Sequence, residues 1–267
     1  MRTLTILLSL GWCGLTLAQG EIIRLRPRLL LDGCFDPSLD LMHDSLRVQQ
    51  LLPTEEPFSA SGYFHVGDGG GEQVLPGVFD VEGPEAIVDW VVVELRQAAA
   101  NGFRVATCSA LLQRDGDVVG MDGSSPINFT APNDFYFLSI KHRNHLGVMT
   151  AVAYFFGPNS VPLDFADPAT SVWGANARKV VGSRALLWSG DANGNGQVKY
   201  TGAGNDRDQI LALVGGTQPN VNVLGYHRQD VNMDGRVKYT GAGNDRDRVL
   251  QTIGGTTPNA TRTGQVP

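Results

Sequence analysis

Cysteine is scarce in this chain, with three among 267 residues. That number excludes a disulfide-dense scaffold and a four-cysteine zinc site. Basic residues are in deficit, 21 against 27 acidic ones. No basic stripe interrupts the sequence, which excludes the electrostatic footprint of a nucleic-acid binder. After residue 17 no apolar run is long enough to span a bilayer, which takes about 20 residues. Motifs for covalent and phosphate chemistry are missing too. Ser109 and Ser139 stand in no G-x-S-x-G setting. The glycine run GDGGG at 67–71 lacks the preceding strand and following helix of a phosphate loop.

What the chain does have is a segment written twice. VKYTGAGNDRD occupies Val198–Asp208 and again Val237–Asp247. Each copy follows an acidic, Asn- and Gly-rich lead. The first is Asp191, Asn193, Asn195, Gly196; the second is Asp230, Asn232, Asp234, Gly235. The alternation D-x-N-x-[ND]-G matches positions 1, 3, 5 and 6 of a calcium loop, where oxygen ligands alternate and glycine makes a sharp turn. Gln197 and Arg236 fall at position 7 and would offer their carbonyl oxygens. Val198 and Val237, at position 8, are placed to pack one loop against the other. Position 12 is Gly202 or Gly241, so neither loop is closed there by a carboxylate. A short insertion, Thr-Gly-Ala-Gly, delays closure to Asp206 or Asp208 in the first loop and to Asp245 or Asp247 in the second. With Asn205 and Asn244 as helix N-caps, Asp208 and Asp247 reach the third helical position and are the favoured closers. The helices are expected over Asp206–Val214 and Asp245–Ile253, each stopped by a Gly pair. The charge of Asp234 should make the second site the tighter one, with affinities near about 10⁻⁴–10⁻³ M.

On these residues the segment 188–267 resembles a dockerin type I module, two calcium loop–helix repeats related by a pseudo-twofold axis. The resemblance implies two Ca²⁺ ions and attachment to a cohesin-like extracellular scaffold. In that family the partner contacts a small hydroxyl pair just after the loop, which here corresponds to Tyr200-Thr201 and Tyr239-Thr240.

Upstream, Met1–Ala18 reads as a secretory signal peptide, with Arg2 before an apolar stretch and Thr16-Leu-Ala18 before the cleavage point. The protein is therefore expected to be secreted or held at the cell surface. Export permits a Cys34–Cys108 disulfide; two free buried thiols are the alternative. Residues 19–187 read as one domain. Ala86–Arg96, Phe103–Leu112, Phe135–His142 and Gly147–Phe156 have strand character, and Asp115-Gly116 and Asp122-Gly123 mark turns. The expected fold is mainly β, an antiparallel Ig-like β-sandwich followed by a small helical dockerin-like domain. Asp44–Leu52 is expected to hold a short helix, 59–71 a glycine-rich loop, and Trp188 to pack against the repeats.

No catalytic constellation emerges. Asp89 and Glu94 read as surface or edge acids rather than a glycosidase pair. His142, Arg143, Asn144 and His145 read as an exposed loop rather than a metal site. The whole layout, with stretches such as DWVVVELR and KHRNHLGVMT, is similar to secreted proteins found among the Bacteroidota. The function this implies is non-catalytic: calcium-dependent extracellular adhesion or assembly. The alternative is an exported polysaccharide-binding or polysaccharide-degrading protein whose tail attaches it to a scaffold.

Overall fold

The structure is a computed structural model, and residues 21–159 and 162–267 are described. The signal peptide expected at Met1–Ala18 lies outside them. In chain order the elements are β1 (Ile22–Leu25), β2 (Phe35–Asp36), β3 (Leu41–Met42), α1 (Ser45–Val48) and a 3₁₀ turn (Val78–Asp80). Then come β4 (Ile87–Gln97), β5 (Arg104–Gln113), β6 (Val118–Val119), β7 (Ile127–Thr130), β8 (Asp134–Lys141), β9 (Val148–Met149) and β10 (Tyr154–Phe156). The chain continues through β11 (Arg178–Val181), β12 (Arg184–Leu187), β13 (Gln197–Lys199), α2 (Asp206–Leu213), β14 (Asn222–Leu224), β15 (Arg236–Lys238), α3 (Asp245–Thr252) and β16 (Thr261–Thr263).

The fold is mainly β. One antiparallel sheet has the order β10-β8-β4-β5-β6, with β9 also on β8. β4 lies in its middle, paired with β5 (Trp90 opposite Leu111) and with β8 (Leu95 opposite Leu138). A central strand covered on both faces needs no polar alternation, which explains the apolar run IVDWVVVEL. The turn into β6 relies on Gly116 at φ 101°, packed so close to the Leu29 carbonyl that a Cβ would clash. Among the described residues the remaining strands form two-stranded ribbons: β1–β7, β2–β3, β11–β12, β13–β16 and β14–β15. The expected helix near residue 44 is the single turn α1. The expected strand at 147–156 is split into β9 and β10.

A large core joins β4, β5 and β8 to Ile23, Leu25, Leu29–Leu31, Ile127 and Phe129. A second, smaller core contains Leu146, Ala192, Val198, Ile210, Val214, Val231, Val237, Val249 and Ile253. Val198 and Val237 are fully buried there, as their position in the loop requires. Trp188 packs on this second core and lies 3.4 Å below the Arg262 guanidinium. The two repeats interlock. The strand after α2 pairs with the loop strand of the second repeat, and the strand after α3 pairs with that of the first.

Two expectations are corrected, and one open alternative is resolved. Asp89 and Glu94 are not surface acids: both are fully buried. Asp89 accepts from Arg143 Nε (2.9 Å), lies 3.0 Å from His142 Nε2 and accepts from Tyr226 Oη (2.6 Å). Glu94 is held by Arg96 Nε (2.8 Å) and Tyr63 Oη (2.6 Å). Residues 142–145 are not an exposed loop but a buried junction. Asn144 Nδ2 donates to the Arg228 and Asp230 carbonyls, Arg143 to the His227 carbonyl, and Gly33 N–H to His145 Nε2. Polar side chains at a strand end were read as solvated because the segment that covers them lies more than 80 residues downstream. Cys34 and Cys108 are free thiols; burial, first of all, raises both well above the ordinary thiol range.

Candidate metal centres

Each repeat curls its lead residues into a hydrogen-bonded loop. In the first, Asp191 accepts the Asn195 and Gly196 N–H groups (3.0 and 2.9 Å), which curls the loop about its carboxylate. Asn193 Oδ1 accepts from Asn195 N–H and Asn195 Oδ1 from Gln197 N–H. Gly196 has φ 77° and Gly235 φ 85°, so the sharp turn at position 6 uses the left-handed region in both loops. The second repeat repeats the pattern. Asp230 accepts from Asp234 and Gly235 N–H, and Asn232 Oδ1 from Asp234 N–H. Asp234 also accepts from Arg236 N–H and is paired with Lys238 Nζ at 2.6 Å. Gln197 and Arg236 open β13 and β15.

Of the candidate closing acids, Asp206 and Asp245 are the ones turned across the loops. Asp206 is fully buried and accepts from Asn193 N–H (3.2 Å) and Lys199 N–H (2.8 Å) across the loop. Asp245 does the same toward Val231 and Lys238 N–H, both at 2.8 Å. Asp208 and Asp247 instead belong to the helix caps. Their N–H groups donate to Asn205 and Asn244, as the N-cap assignment requires, and their carboxylates pair with Arg207 (3.0 Å) and Arg246 (2.9 Å). Asp208 and Asp247 are thus directed to the helix cap, and Asp206 and Asp245 to the loops.

The electrostatics follow from that placement. Burial pushes Asp206 up to about 7, with the nearby Asp191 adding to it, and burial raises Asp191 as well. Burial pushes Asp230 up to about 6 and Asp245 well above the carboxylate range, the latter helped by Asp230. Asp208 falls below its ordinary value because Asn205 and Arg207 donate to it. Asp247 falls for the same reasons despite partial burial. Among the described residues none of Asp191, Asp206, Asp230 and Asp245 has a basic side chain within ion-pair distance, whereas Asp234 has Lys238. Two buried carboxylates close enough that one raises the other, on a loop that also carries amide or carboxylate side chains, are donor types that fit a hard divalent cation.

The shared segment between the lead and the helix is largely spent inside the module. Lys199 Nζ donates to the Ala203 carbonyl. Thr201 Oγ1 reaches Asn259 Oδ1 and Thr240 Oγ1 reaches Asn220 Oδ1, each at 2.8 Å and each in the other repeat. Arg207 and Arg246 lie over the rings of Tyr200 and Tyr239. The hydroxyl pair that the dockerin resemblance assigns to a partner is used here to tie the repeats together.

The second loop is also anchored to the large core. Met233, at loop position 4, is 1% exposed and belongs to the large core. It holds φ 60°, a strained value for a residue with a Cβ, where the first loop has Gly194. Gln49 Nε2 donates to the Asp234 carbonyl at 2.7 Å. Nothing in the D-x-N-x-D-G pattern marks Met233; the signal was a large apolar side chain where the first copy has glycine. Between the first loop and the sheet runs a cleft of about 540 Å³, lined by Tyr63, Lys141, Arg143, Asn195, Arg228 and Val266 among others. Comparison with protein-family models, with curated proteins and with solved structures finds no match to this chain.

Proposed function

We propose that residues 188–267 form a two-site calcium module and that the protein acts outside the cell as a non-catalytic, calcium-stiffened binding or assembly protein. The observation that carries this is the pair of buried, unpaired carboxylates in each repeat, Asp191 with Asp206 and Asp230 with Asp245. Buried anions that repel one another are costly unless a cation sits between them. Asn193, Asn195 and the Gln197 carbonyl complete the first set; Asn232, Asp234 and the Arg236 carbonyl complete the second. Calcium then does no chemistry. It neutralises the carboxylates and fixes the loops from which β13, β15, α2 and α3 start.

The dockerin-like assignment rests on this loop–helix duplication and its interlocked strands. The residues before 188 supply the larger β unit, in which the β1–β7 ribbon shares one core with the main sheet. Because Met233, Gln49 and the 142–145 junction bind the two parts together, ordering the loops also orders the first domain's edge. Extracellular calcium, near millimolar, is enough for sites of the expected affinity. The test is hydrogen exchange of the full chain with calcium or with EGTA. Protection over 188–267 should fall when calcium is withdrawn; unchanged protection would remove the proposal.

A further inference from the structure

The glycine run at 67–71, which carries no phosphate-loop context, has another use. Gly69 lies so close to β5 that a Cβ there would sit 1.9 Å from the Thr107 carbonyl oxygen. The Gly70 and Gly71 N–H groups donate to the carboxylates of Glu72 (3.0 Å) and Glu56 (3.3 Å). The loop thus folds back on the sheet and brings Glu56, Glu72 and His65 together, their ligand atoms all within 4.8 Å of one another.

His65 decides what this cluster is for. Thr107 Oγ1 accepts the Val66 N–H (2.8 Å) and lies 3.2 Å from the Val66 carbonyl, to which its hydroxyl proton donates. It is left as an acceptor for His65 Nδ1, 3.0 Å away. That assigns the proton of a neutral His65 to Nδ1 and leaves a lone pair on Nε2. The side chain is 5% exposed, Nε2 has no hydrogen-bond partner, and it faces Glu56 Oε2 at 3.7 Å. Both carboxylates are oriented from behind. Glu56 accepts from Phe58 and Ser59 N–H, and Glu72 from Ser109 N–H. A ligating imidazole whose other nitrogen is fixed by a hydroxyl, flanked by braced carboxylates, is how a metal centre is supported from its surroundings.

We propose that His65, Glu56 and Glu72 bind one zinc ion, which clamps the 56–72 loop to β5. One nitrogen and two carboxylate oxygens suit zinc, and 3.7 Å is near the roughly 3.3 Å ligand–ligand edge set by bonds of about 2.0–2.1 Å. An imidazole donor disfavours calcium, so this site is distinct in chemistry from the C-terminal loops. Three protein ligands leave a fourth position for water.

The test uses the full chain, stripped of metal and returned to millimolar calcium so that the C-terminal loops stay ordered, then titrated with zinc chloride. Calorimetry and elemental analysis after dialysis should find one zinc per chain, and hydrogen exchange over 56–72 should slow. His65→Gln and Glu72→Gln should abolish the stoichiometric zinc. Thr107→Val, which frees the Nδ1 side, should weaken it by about 10–100-fold. Near-ultraviolet circular dichroism checks that the variants are folded, and the wild-type stoichiometry stands without them. Less than one zinc per chain in the wild type overturns the proposal. Zinc retained in full by both His65→Gln and Glu72→Gln also overturns it, since another histidine would be the ligand.

Discussion

Replacing Asp206 by Asn should move the protein in opposite directions with and without calcium. Asp206 has its pKa raised from 3.8 to about 7 by burial, with Asp191 adding to it. A folded carboxyl that holds its proton more tightly than the unfolded one favours folding at low pH. Stability is then lost as pH rises from the unfolded value toward the folded one. A shift of about three units corresponds to about 4 kcal/mol at pH 8, an upper bound that already contains the backbone hydrogen bonds made by the carboxylate. The metal-free wild type should therefore lose stability between about pH 4 and pH 7. Asp206→Asn, which mimics the protonated form, should remove the share of that loss that Asp206 carries, leaving the shares of Asp191, Asp230 and Asp245. With calcium present the same substitution deletes a ligand. The ligand's contribution, about 2.7 kcal/mol at a hundredfold excess over the dissociation constant, should then vanish from the first site. Asp208→Asn, which touches only the cap and Arg207, should leave calcium binding in place and cost about 1 kcal/mol through the helix start. The assays are calorimetric calcium titration and hydrogen exchange over 188–267 at pH 8, with and without EGTA. If Asp208→Asn abolished binding and Asp206→Asn did not, the loop would close through the helix cap and the electrostatic argument would be wrong.

Three further outcomes are expected. Asp89→Asn breaks a buried charge cluster shared by Arg143, His142 and Tyr226 and should destabilise the protein by about 3–5 kcal/mol, measured by urea denaturation; a loss under 1 kcal/mol would mean the junction is not built on that carboxylate. Met233→Ala should cost about 2–5 kcal/mol, and hydrogen exchange should speed up at the second loop before the first; equal acceleration of both would deny its role as an anchor. Gly69→Ala should expose 58–72 to limited proteolysis, because the Thr107 carbonyl leaves no room for a methyl group; an unchanged cleavage pattern would show that the loop does not approach the strand so closely.

Local patterns in the sequence carried the parts of the molecule that depend on local physics. The apolar run of β4, the Asp115-Gly116 turn and the Asn205 and Asn244 caps each follow from a few adjacent residues, and each stands where the pattern puts it. The single sheet with ribbons does not follow, because strand spacing alone does not say whether the remaining strands join into a second sheet. The burial of Asp89 and residues 142–145 does not follow for a related reason: the pattern assigns a charged side chain to solvent unless its partner is nearby in sequence, and Tyr226, His227 and Asp230 become neighbours only when the repeats dock.

The closing carboxylate turns on helix phase. With Asn205 as N-cap, Asp208 is the third helical residue, whose N–H is the one the cap accepts. Its carboxylate accepts from the Asn205 side-chain Nδ2 at 2.8 Å, so cap and third residue bond to each other in both directions. That geometry commits the side chain to the helix start. Asp206, the first helical residue, is still at the mouth of the loop. A four-residue insertion after position 10 carries position 12 from Gly202 to Asp206, and in the second copy from Gly241 to Asp245. The segment Thr-Gly-Ala-Gly therefore brings position 12 to the helix start, and of the two acids of N-D-R-D one turns across the loop and the other to the cap.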